Sequence, residues 1–515
     1  MATARRCAAC LLAAAAALPL RGAPPELREE VDLYRRSSKP AILRELAELV
    51  AIPNLASDLP DIQRNAEHLL GMLRRRGIEA RLLPNPGAPP AVYGELRAPG
   101  ARRTVVFYAH YDGQPVDPAQ WKTPPWSAVL RDKPLDEGGK EIPLPAAGEP
   151  VPDEARLYGR SASDDKAPIV AMLAALDALR AAHVAPSINL KFYFEGEEEA
   201  ESTHLRESLQ RNRDLLKSDA WIFCDGPVHQ SRRLEVVYGA RGILPLELTV
   251  YGPLRALHDG HYGNWAPNPA ALLASLLASM RNPDGRVTIA GFSDGVRPIT
   301  GLDRRAIAQI PAVDAELRRS FGIARSEADD APLPERVLLP ALNVRGLSAG
   351  RVGAQAANAI PTEARASIDI RLVPDQKPDA VREAVERHLV AQGYFVVRDE
   401  PDLAARLAHP RIVRAEWKAG YPGVRTAMDL PFARAVGGVV SQAAGGAPIV
   451  HLPILGGSVP LYTLQGVLGA PVVIVPIVNH DNNQHAANEN LRLQNLWDGI
   501  DVFAALFALL GPAWP

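Results

Sequence analysis

The feature that most constrains this chain is a series of short apolar segments that end in acidic or histidine side chains. Apolar runs of this length are typical of strands buried on both faces of a sheet, and helical patterns separate them. The polar groups that follow these runs, or that begin a helix, are His110 and Asp112, Asp164–Asp165, Glu197–Glu199, Asp225, and NHDNNQH at 479–485. We predict an α/β fold, with a mainly parallel sheet covered by helices on both faces.

The order of predicted elements changes near residue 241, which predicts a second, smaller α+β domain. Residues 26–83 are predicted to be mostly helical, and strands then alternate with helices. By contrast, 242–410 has a β-α-β-α-β order, with strands that alternate apolar and polar residues. We therefore predict a first domain in two parts, 24–241 and 411–515, with the second domain inserted at 242–410. A chain of 515 residues also exceeds one ordinary core.

The N-terminus has the pattern of a secretory signal. Arg5 and Arg6 precede an Ala/Leu run over 8–20, and small residues and two prolines follow. We predict a signal peptide at 1–23 and export to the periplasm or the outside; the alternative is an Ala-rich tail on a cytoplasmic protein. No later run reaches the ~20 apolar residues that a membrane span needs. The formal net charge of −2 predicts no strong attraction to nucleic acid.

The polar groups at the strand ends predict a metal site. Ligands of open parallel sheets bind outside the carboxyl ends of the strands, so these side chains should share one crevice. Carboxylates crowded in this way repel one another and raise each other's pKa unless bound divalent cations compensate their charge. Mixed histidine and carboxylate ligands suit zinc, manganese or cobalt, whereas an all-oxygen set would suit calcium or magnesium.

Eight segments, in order, carry a family resemblance. They are HYDGQPVDPAQW, YGRSASDDKAP, FEGEEEAES, FCDG, LHDGHYGNWAPNP, RLVP, GGSVP and NHDNNQHAANENLRL. Together they resemble the M20 metallopeptidase family, and within it the dipeptidase and carnosinase-like branch. The resemblance covers the chain from about residue 100 to the C-terminal helix. It implies hydrolysis of peptide bonds in dipeptides or small peptides, two divalent metal ions per chain, most simply zinc, and a cis peptide bond after Asp164.

The resemblance also implies a role for each residue of the site. It assigns metal binding to His110, Asp164, Glu199, Asp225 and His485, with Asp164 shared by both metals. His480 is an alternative to His485, but the spacing before NEN favours His485. Asp112 would orient His110. Glu198 would be the general base, which takes a proton from a water between the metals and gives it to the leaving amine.

The inserted domain would contribute further residues. His258 matches a histidine that stabilises the oxyanion, often from the partner subunit, so a homodimer is implied and the inserted domain is interpreted as a lid and dimerisation domain. His261 competes with His258 for this role. Arg371 would hold the substrate carboxylate through its guanidinium fork, and Gly457 and Ser458 would form a loop near the same group.

Two rival functions remain open. Asp225, where other members have glutamate, favours a dipeptidase over an N-acyl-amino-acid deacylase or a glutamate-type carboxypeptidase of the same fold. A non-catalytic peptide-binding or scaffold protein is the rival from another class, although it would have little reason to retain Glu198. Ser161 and Ala167 stand where the family has glycines, so the backbone near Asp164 is expected to differ locally.

Overall fold

The computed structural model describes residues 25–327 and 331–514. The predicted signal peptide therefore lies outside the described residues. The helices are α1 Pro25–Val50, α2 Leu59–Arg75, α3 Lys166–Ala181, α4 Leu205–Arg211, α5 Asp259–Tyr262, α6 Pro269–Met280, α7 Gly301–Gln309, α8 Asp314–Phe321, α9 Leu333–Arg336, α10 Pro378–Ala391, α11 Leu403–Ala408, α12 Pro431–Ala443, α13 Leu461–Leu468 and α14 Leu493–Ala513. The strands are β1 Glu79–Asn85, β2 Ala88–Leu96, β3 Thr104–His110, β4 Val129–Arg131, β5 Arg156–Tyr158, β6 Asn189–Glu195, β7 Ala220–Phe223, β8 Glu235–Val237, β9 Gly239–Ala240, β10 Gly242–Tyr251, β11 Leu257–His258, β12 Ala341–Ser348, β13 Ala359–Ile360, β14 Glu363–Leu372, β15 Phe395–Val397, β16 Ile412–Trp417, β17 Val424–Arg425, β18 Val450–Leu452, β19 Val472–Ile474 and β20 Asn490–Arg492.

The larger sheet has eight strands in the order β1-β2-β6-β3-β7-β19-β8-β18. Its centre, β6-β3-β7-β19, is parallel, and β18 is parallel to β8. This arrangement confirms the mainly parallel sheet that the sequence predicts. The segment 26–83 is mostly helical, as predicted, but its last five residues belong to β1, which was not predicted. The side chains of β1 alternate between exposed and buried positions, as suits a strand at the edge of a sheet.

Strand β3 carries the run VVFYA at 105–109 because both of its faces are covered. Phe107 lies in the core with helices α1, α3 and α14, and its ring meets Phe507 of α14 edge-on, with centroids 4.9 Å apart. Tyr108 points to the opposite core, where its ring stacks on Phe223 with a centroid distance of 4.1 Å. The two cores hold β3 between helical layers, and its last residue, His110, emerges at the edge of the sheet.

The second sheet has five strands in the order β12-β14-β10-β16-β15. Strand β10 pairs antiparallel with β14 and β16, and α6 and α10 supply apolar residues to the core on this sheet. The sequence predicts β10, β14 and β15 but neither β12 nor β16. Because β16 runs to Trp417, the sheet extends past residue 410, where we predicted the inserted domain to end.

Helix α14 is long and apolar enough to cross a membrane, and it is the one such helix among the described residues. Within the folded chain, 61% of its most apolar stretch is buried. It packs against α3 and α12, and Phe503 and Phe507 contact the ring of Phe107. This helix is therefore part of the core beside the larger sheet.

Candidate metal centre

Four neighbouring parallel strands bring the predicted ligands to one edge of the larger sheet. His110 is the last residue of β3, and Asp225 follows β7 by two residues. Glu199 lies in a 3-10 turn, Glu198–Ala200, directly after β6, and His485 lies in the loop after β19. Asp164 precedes α3. The site therefore forms where an open parallel sheet binds its ligands.

Asp164 lies between the two histidines. Its Oδ1 atom is 2.9 Å from His110 Nε2, and its Oδ2 atom is 3.2 Å from His485 Nε2. His485 Nε2 is also 3.3 Å from Glu199 Oε2, while His110 Nε2 is 4.0 Å from Asp225 Oδ2. The structure thus brings all five predicted ligands together, with the Asp164 carboxylate at the centre. The peptide bond after Asp164 is cis.

Asp112 connects His110 to the turn that carries the glutamates. Its Oδ1 atom is 3.3 Å from His110 Nδ1, on the side of the ring that faces away from Asp164. The same carboxylate accepts hydrogen bonds from the backbone N–H groups of Glu198 and Glu199, at 3.0 and 2.9 Å. Asp112 is fully buried, so these contacts fix the ring of His110 relative to the glutamate turn.

The charges at this site are strongly coupled. Burial, with a further contribution from Asp164, raises the pKa of Asp225 to about 6 and that of Glu199 to about 8. Burial also raises the pKa of Glu198 well above its usual value, although part of the residue stays open to solvent. Burial alone would raise the pKa of Asp164, but the neighbouring His110 and His485 lower it. Without cations, part of this cluster must therefore hold protons.

The donor atoms fit divalent cations. In two groups of three side chains the possible ligand atoms lie within 4.8 Å of one another: His110, Asp164 and Glu199, and His110, Asp165 and Asp225. Apart from the His485 ring, 3.2 Å from Asp164 Oδ2, the described residues offer no hydrogen bond to Asp164 Oδ2 or Asp165 Oδ1, although both atoms are buried. Buried carboxylate oxygens without donors next to imidazoles are a suitable environment for zinc, manganese or cobalt.

Asp165 lies in this site, although sequence analysis, which named it among the polar groups, assigned it no role as a ligand. It occupies the N-cap position of α3, but within the described residues its side chain makes no capping hydrogen bond. Instead, Asp165 Oδ2 accepts the backbone N–H of His110 at 3.2 Å. Acidic residues at this position are typical N-caps, so the local pattern gave no sign that the carboxylate faces the site.

His480, the alternative ligand, has different neighbours from His485. It interacts electrostatically with Asp481, Arg492 and Arg156, and burial lowers its pKa. The charged neighbours of His480 thus include two arginines, whereas His485 contacts Asp164 and Glu199 with about half of its side chain exposed.

Arg371 and Ser458 form a second polar group close to the cluster. Arg371 Nη1 donates to Ser458 Oγ at 2.8 Å, and its Nε donates to Asp369 at 2.6 Å. The hydroxyl of Tyr421 also hydrogen-bonds Ser458. Burial raises the pKa of Tyr421 to about 12, and the charge of Glu198 adds to this effect. The group therefore lies within electrostatic range of Glu198, and Gly457 is exposed beside it.

His258 lies apart from this cluster in the described chain. Its ring is more than half exposed and packs on His261, with centroids 4.6 Å apart. Its Nδ1 atom accepts the backbone N–H of Gly260 at 3.1 Å. His261 shares this exposed segment, so a single chain brings neither histidine to the metal ligands.

Two further side chains support the ligands and were not predicted. Gln114 Nε2 donates to Glu199 Oε2 at 2.8 Å. Glu489, four residues after His485, is fully buried and accepts the backbone N–H of Asp164 at 2.9 Å. Both residues lie in segments that carry the family resemblance. Their side chains, however, contact residues that are distant in sequence, so their neighbours in the sequence do not reveal these contacts.

Comparisons with known proteins agree with this arrangement. The Beta-Ala-His dipeptidase of Homo sapiens is 27% identical over 534 residues, which cover 98% of this chain and 97% of that protein. The Cys-Gly metallodipeptidase dug1 of Schizosaccharomyces pombe is 24% identical over 486 residues, covering 90% of this chain and 94% of its own.

Solved structures show the same fold. An M20 family metallo-carboxypeptidase from Sulfolobus solfataricus superposes with a TM-score of 0.73 and 26% identity, over 92% of this chain and 99% of that one. Human carnosine dipeptidase 1 superposes with a TM-score of 0.72 and 24% identity, over 95% of this chain and all of that one. The sequence profile of peptidase family M20/M25/M40 matches residues 106–508, which include every metal ligand predicted above. This chain belongs to the M20/M25/M40 peptidase family.

Proposed function

We propose that this protein is a dipeptidase that uses two divalent metal ions to hydrolyse the peptide bond of dipeptides or small peptides. The observation that carries the proposal is that two polar groups both lie within electrostatic range of Glu198: the His110–Asp164–His485 cluster with its acids, and the Arg371–Ser458 pair with Tyr421. One group suits cations, and the other suits a substrate carboxylate. The names of the relatives support this class of substrate.

Each residue of the chain has a defined task in this proposal. His110, Asp164, Glu199, Asp225 and His485 hold the metals, and Asp112 keeps His110 in one orientation. When bound, two such cations polarise the scissile carbonyl and make water more acidic. Glu198 takes the proton from the attacking water and delivers it to the leaving amine. Arg371, Ser458 and Gly457 bind the carboxylate end of the substrate.

We favour zinc as the physiological metal because imidazole and carboxylate ligands together suit it. Manganese and cobalt would bind the same donors, and the order of affinities alone does not decide between them. Metal content and reconstitution with each ion give the direct measurement.

The second candidate function is that of a carboxypeptidase or an N-acyl-amino-acid deacylase. The observation that favours it is the superposition with the M20 family metallo-carboxypeptidase. Both candidates need the Arg371–Ser458 group, since their substrates also end in a carboxylate. They differ at the other end of the substrate, where only a dipeptidase requires a free amine.

The test combines elemental analysis with hydrolysis of Ala-Ala and of N-acetyl-Ala-Ala, before and after chelation. We expect about two metals per chain and faster turnover of the free dipeptide. Activity should vanish on chelation and return when metal is added. Faster turnover of the acetylated substrate would favour the deacylase, and a chain that binds no metal under any loading would leave only a scaffold.

We further propose that the protein is a homodimer whose second copy brings His258 to the site. Strand β12 is an edge of the five-stranded sheet. Near it, Leu347 and Val352 are 60% and 87% exposed and line a surface cavity of about 520 Å³. Exposed apolar side chains beside an unpaired strand edge suit burial against a second copy.

The domain division and the export of the protein also belong to this proposal. We propose that the inserted unit, predicted at 242–410, acts as the lid and dimerisation domain between the two parts of the catalytic domain. We propose that the protein is exported, because residues 1–23 have the sequence pattern of a signal peptide. Mass spectrometry of the mature protein, purified from each cell fraction, tests cleavage and location together.

A further inference from the structure

Glu489 is a buried carboxylate that receives hydrogen bonds from the loop before α3. Its Oε1 atom accepts the N–H of Ser163, the hydroxyl of Ser163 and the N–H of Asp164, at 3.0, 2.9 and 2.9 Å. Its Oε2 atom accepts the N–H of Ser161 at 2.9 Å and Arg160 Nη1 at 2.8 Å. One side chain therefore satisfies five donors of the segment 160–164, which ends at Asp164.

The same two segments are also linked by hydrogen bonds to backbone groups. Arg160 Nη2 donates to the carbonyl oxygen of Ala486, the residue after His485, at 3.3 Å. The N–H of Gly159 donates to the carbonyl of Glu489 at 3.1 Å, and β5 pairs with β20 directly beyond it. The loop that carries Asp164 and the loop that carries His485 are thus joined at several points, with Glu489 at the centre.

We propose that Glu489 is a positioning residue that sets the spacing between Asp164 and His485. This inference rests on the proposed function, in which both residues hold metal. Asp164 and His485 are 321 positions apart in sequence, so their 3.2 Å separation depends on contacts between their loops. A buried carboxylate that accepts several backbone N–H groups fixes those groups in place, because losing the acceptor would leave them unsatisfied.

The test compares metal affinity with stability in Glu489→Gln. The amide nitrogen cannot accept the donors that one carboxylate oxygen receives, so the loop before α3 should shift. We expect at least one metal to bind about 10-fold to 100-fold more weakly, as measured by competition with a chromophoric chelator. Parent affinity for both metals in this variant would overturn the proposal.

A matched control separates positioning from general stability. Asp303→Asn breaks another buried arginine–carboxylate pair, Arg425–Asp303, which joins α7 to β17. This variant should lose stability in chemical denaturation yet keep its metal affinity within about 2-fold. If it weakens metal binding as much as Glu489→Gln does, the effect is one of stability and the proposal fails.

Two more variants complete the test. Arg160→Met combined with Glu489→Gln removes the buried charge pair, so stability should recover in part while metal binding stays weak. If Glu489→Gln does not fold, Ser163→Ala removes one donor, and unchanged affinity in that variant would overturn the proposal.

Dipeptide turnover by the parent is measured in parallel. If the parent binds two metals but does not hydrolyse dipeptides, the proposed function is rejected. The positioning role of Glu489 is still tested in that case, because its test measures metal affinity.

Discussion

At the scale of single residues, three successive glutamates after β6 have different surroundings. Glu198 interacts electrostatically with Tyr421, which hydrogen-bonds Ser458, and Glu199 contacts His485. Glu197 instead pairs with His204, whose Nδ1 atom lies 2.9 Å from its carboxylate. Glu197 and Glu198 are adjacent and chemically identical, but they have different neighbours. Substituting each of them in turn therefore tests whether Glu198 is the general base.

We predict that Glu198→Gln keeps both metals but loses about 10²-fold to 10⁴-fold in kcat, because it removes proton transfer alone. The backbone N–H of residue 198 would still donate to Asp112, so the turn should keep its shape. Glu197→Gln is the control and should stay close to parent activity. Steady-state kinetics with metal analysis make the measurement. Near-parent turnover in Glu198→Gln would show that another group is the base.

Ser161 has an unusual backbone conformation at a place where the family has glycine. Its φ is +62°, and its hydroxyl accepts a hydrogen bond from Asn54 Nδ2 at 2.8 Å. The hydroxyl occupies the space beside Gly113, where a Cβ atom would overlap Ser161 Oγ and lie 3.1 Å from Asn54 Nδ2. The site thus accommodates the serine because residue 113 has no side chain.

We predict that Gly113→Ala lowers the free energy of unfolding by about 1–3 kcal/mol through this overlap. Adding Ser161→Gly should recover part of the loss, because it removes the overlapping hydroxyl and relaxes the left-handed φ. Chemical denaturation of the parent, both single variants and the double variant gives the coupling energy. Additive effects would contradict the direct contact.

The convergence of the five predicted ligands could be expected from sequence, whereas the side chains that contact them could not. His110 and Asp225 follow continuous apolar runs. This pattern is visible in the sequence without knowledge of the fold. Asp165, Tyr421 and Glu489 gain their roles only through partners far along the chain. No pattern of neighbouring residues distinguishes such a side chain from an N-cap, a loop tyrosine or an exposed acid.

At the scale of elements, β8 carries a buried acid away from the metal ligands. Glu235 is 4% exposed, and burial raises its pKa to about 8. The folded chain therefore holds a proton on Glu235 that the unfolded chain releases at about its ordinary pKa of 4.5. Because the folded pKa is the higher one, this group's contribution to stability is complete at low pH and declines as pH rises toward about 8.

We predict that Glu235→Gln removes this decline. The stability of the parent relative to the variant should fall by a few kcal/mol between about pH 5 and about pH 9, since one pKa unit corresponds to about 1.4 kcal/mol. Urea denaturation at several pH values measures the difference in free energy of unfolding between the two chains. The contributions of the titratable groups that both chains share cancel in this difference. Parallel curves for the two chains would contradict a protonated Glu235.

Elements with strong periodicity were predicted correctly, and those without it were missed. Strand β12 has one buried residue followed by six exposed ones, so it lacks the alternation that reveals a strand. Strand β1 follows a helix directly and shares its charged composition. The place of β19 between β7 and β8 also depends on packing, because all three strands are short and mostly apolar.

At the scale of the whole molecule, the proposed dimer requires each site to use residues of two chains. We predict that neither His258→Ala nor Glu198→Gln alone supports normal turnover. Mixed dimers of the two variants should recover about a quarter of parent activity, because half the dimers are mixed and each has one intact site. Sedimentation and mass spectrometry of tagged subunits verify the mixture. Verified mixed dimers without recovery would contradict a role for His258 across the interface.

The position of β19 has a consequence for how the protein is made. This strand is among the last to leave the ribosome, yet it lies between β7 and β8, which are synthesised some 250 residues earlier. Until β19 inserts, the larger sheet has a gap and His485 has not arrived beside Asp164. A chain interrupted before residue 485 therefore lacks one of the five predicted metal ligands, and one interrupted before residue 472 also lacks β19. We therefore expect termination before His485 to yield an inert fragment, so that synthesis of the C-terminal part of the chain controls when hydrolytic activity begins.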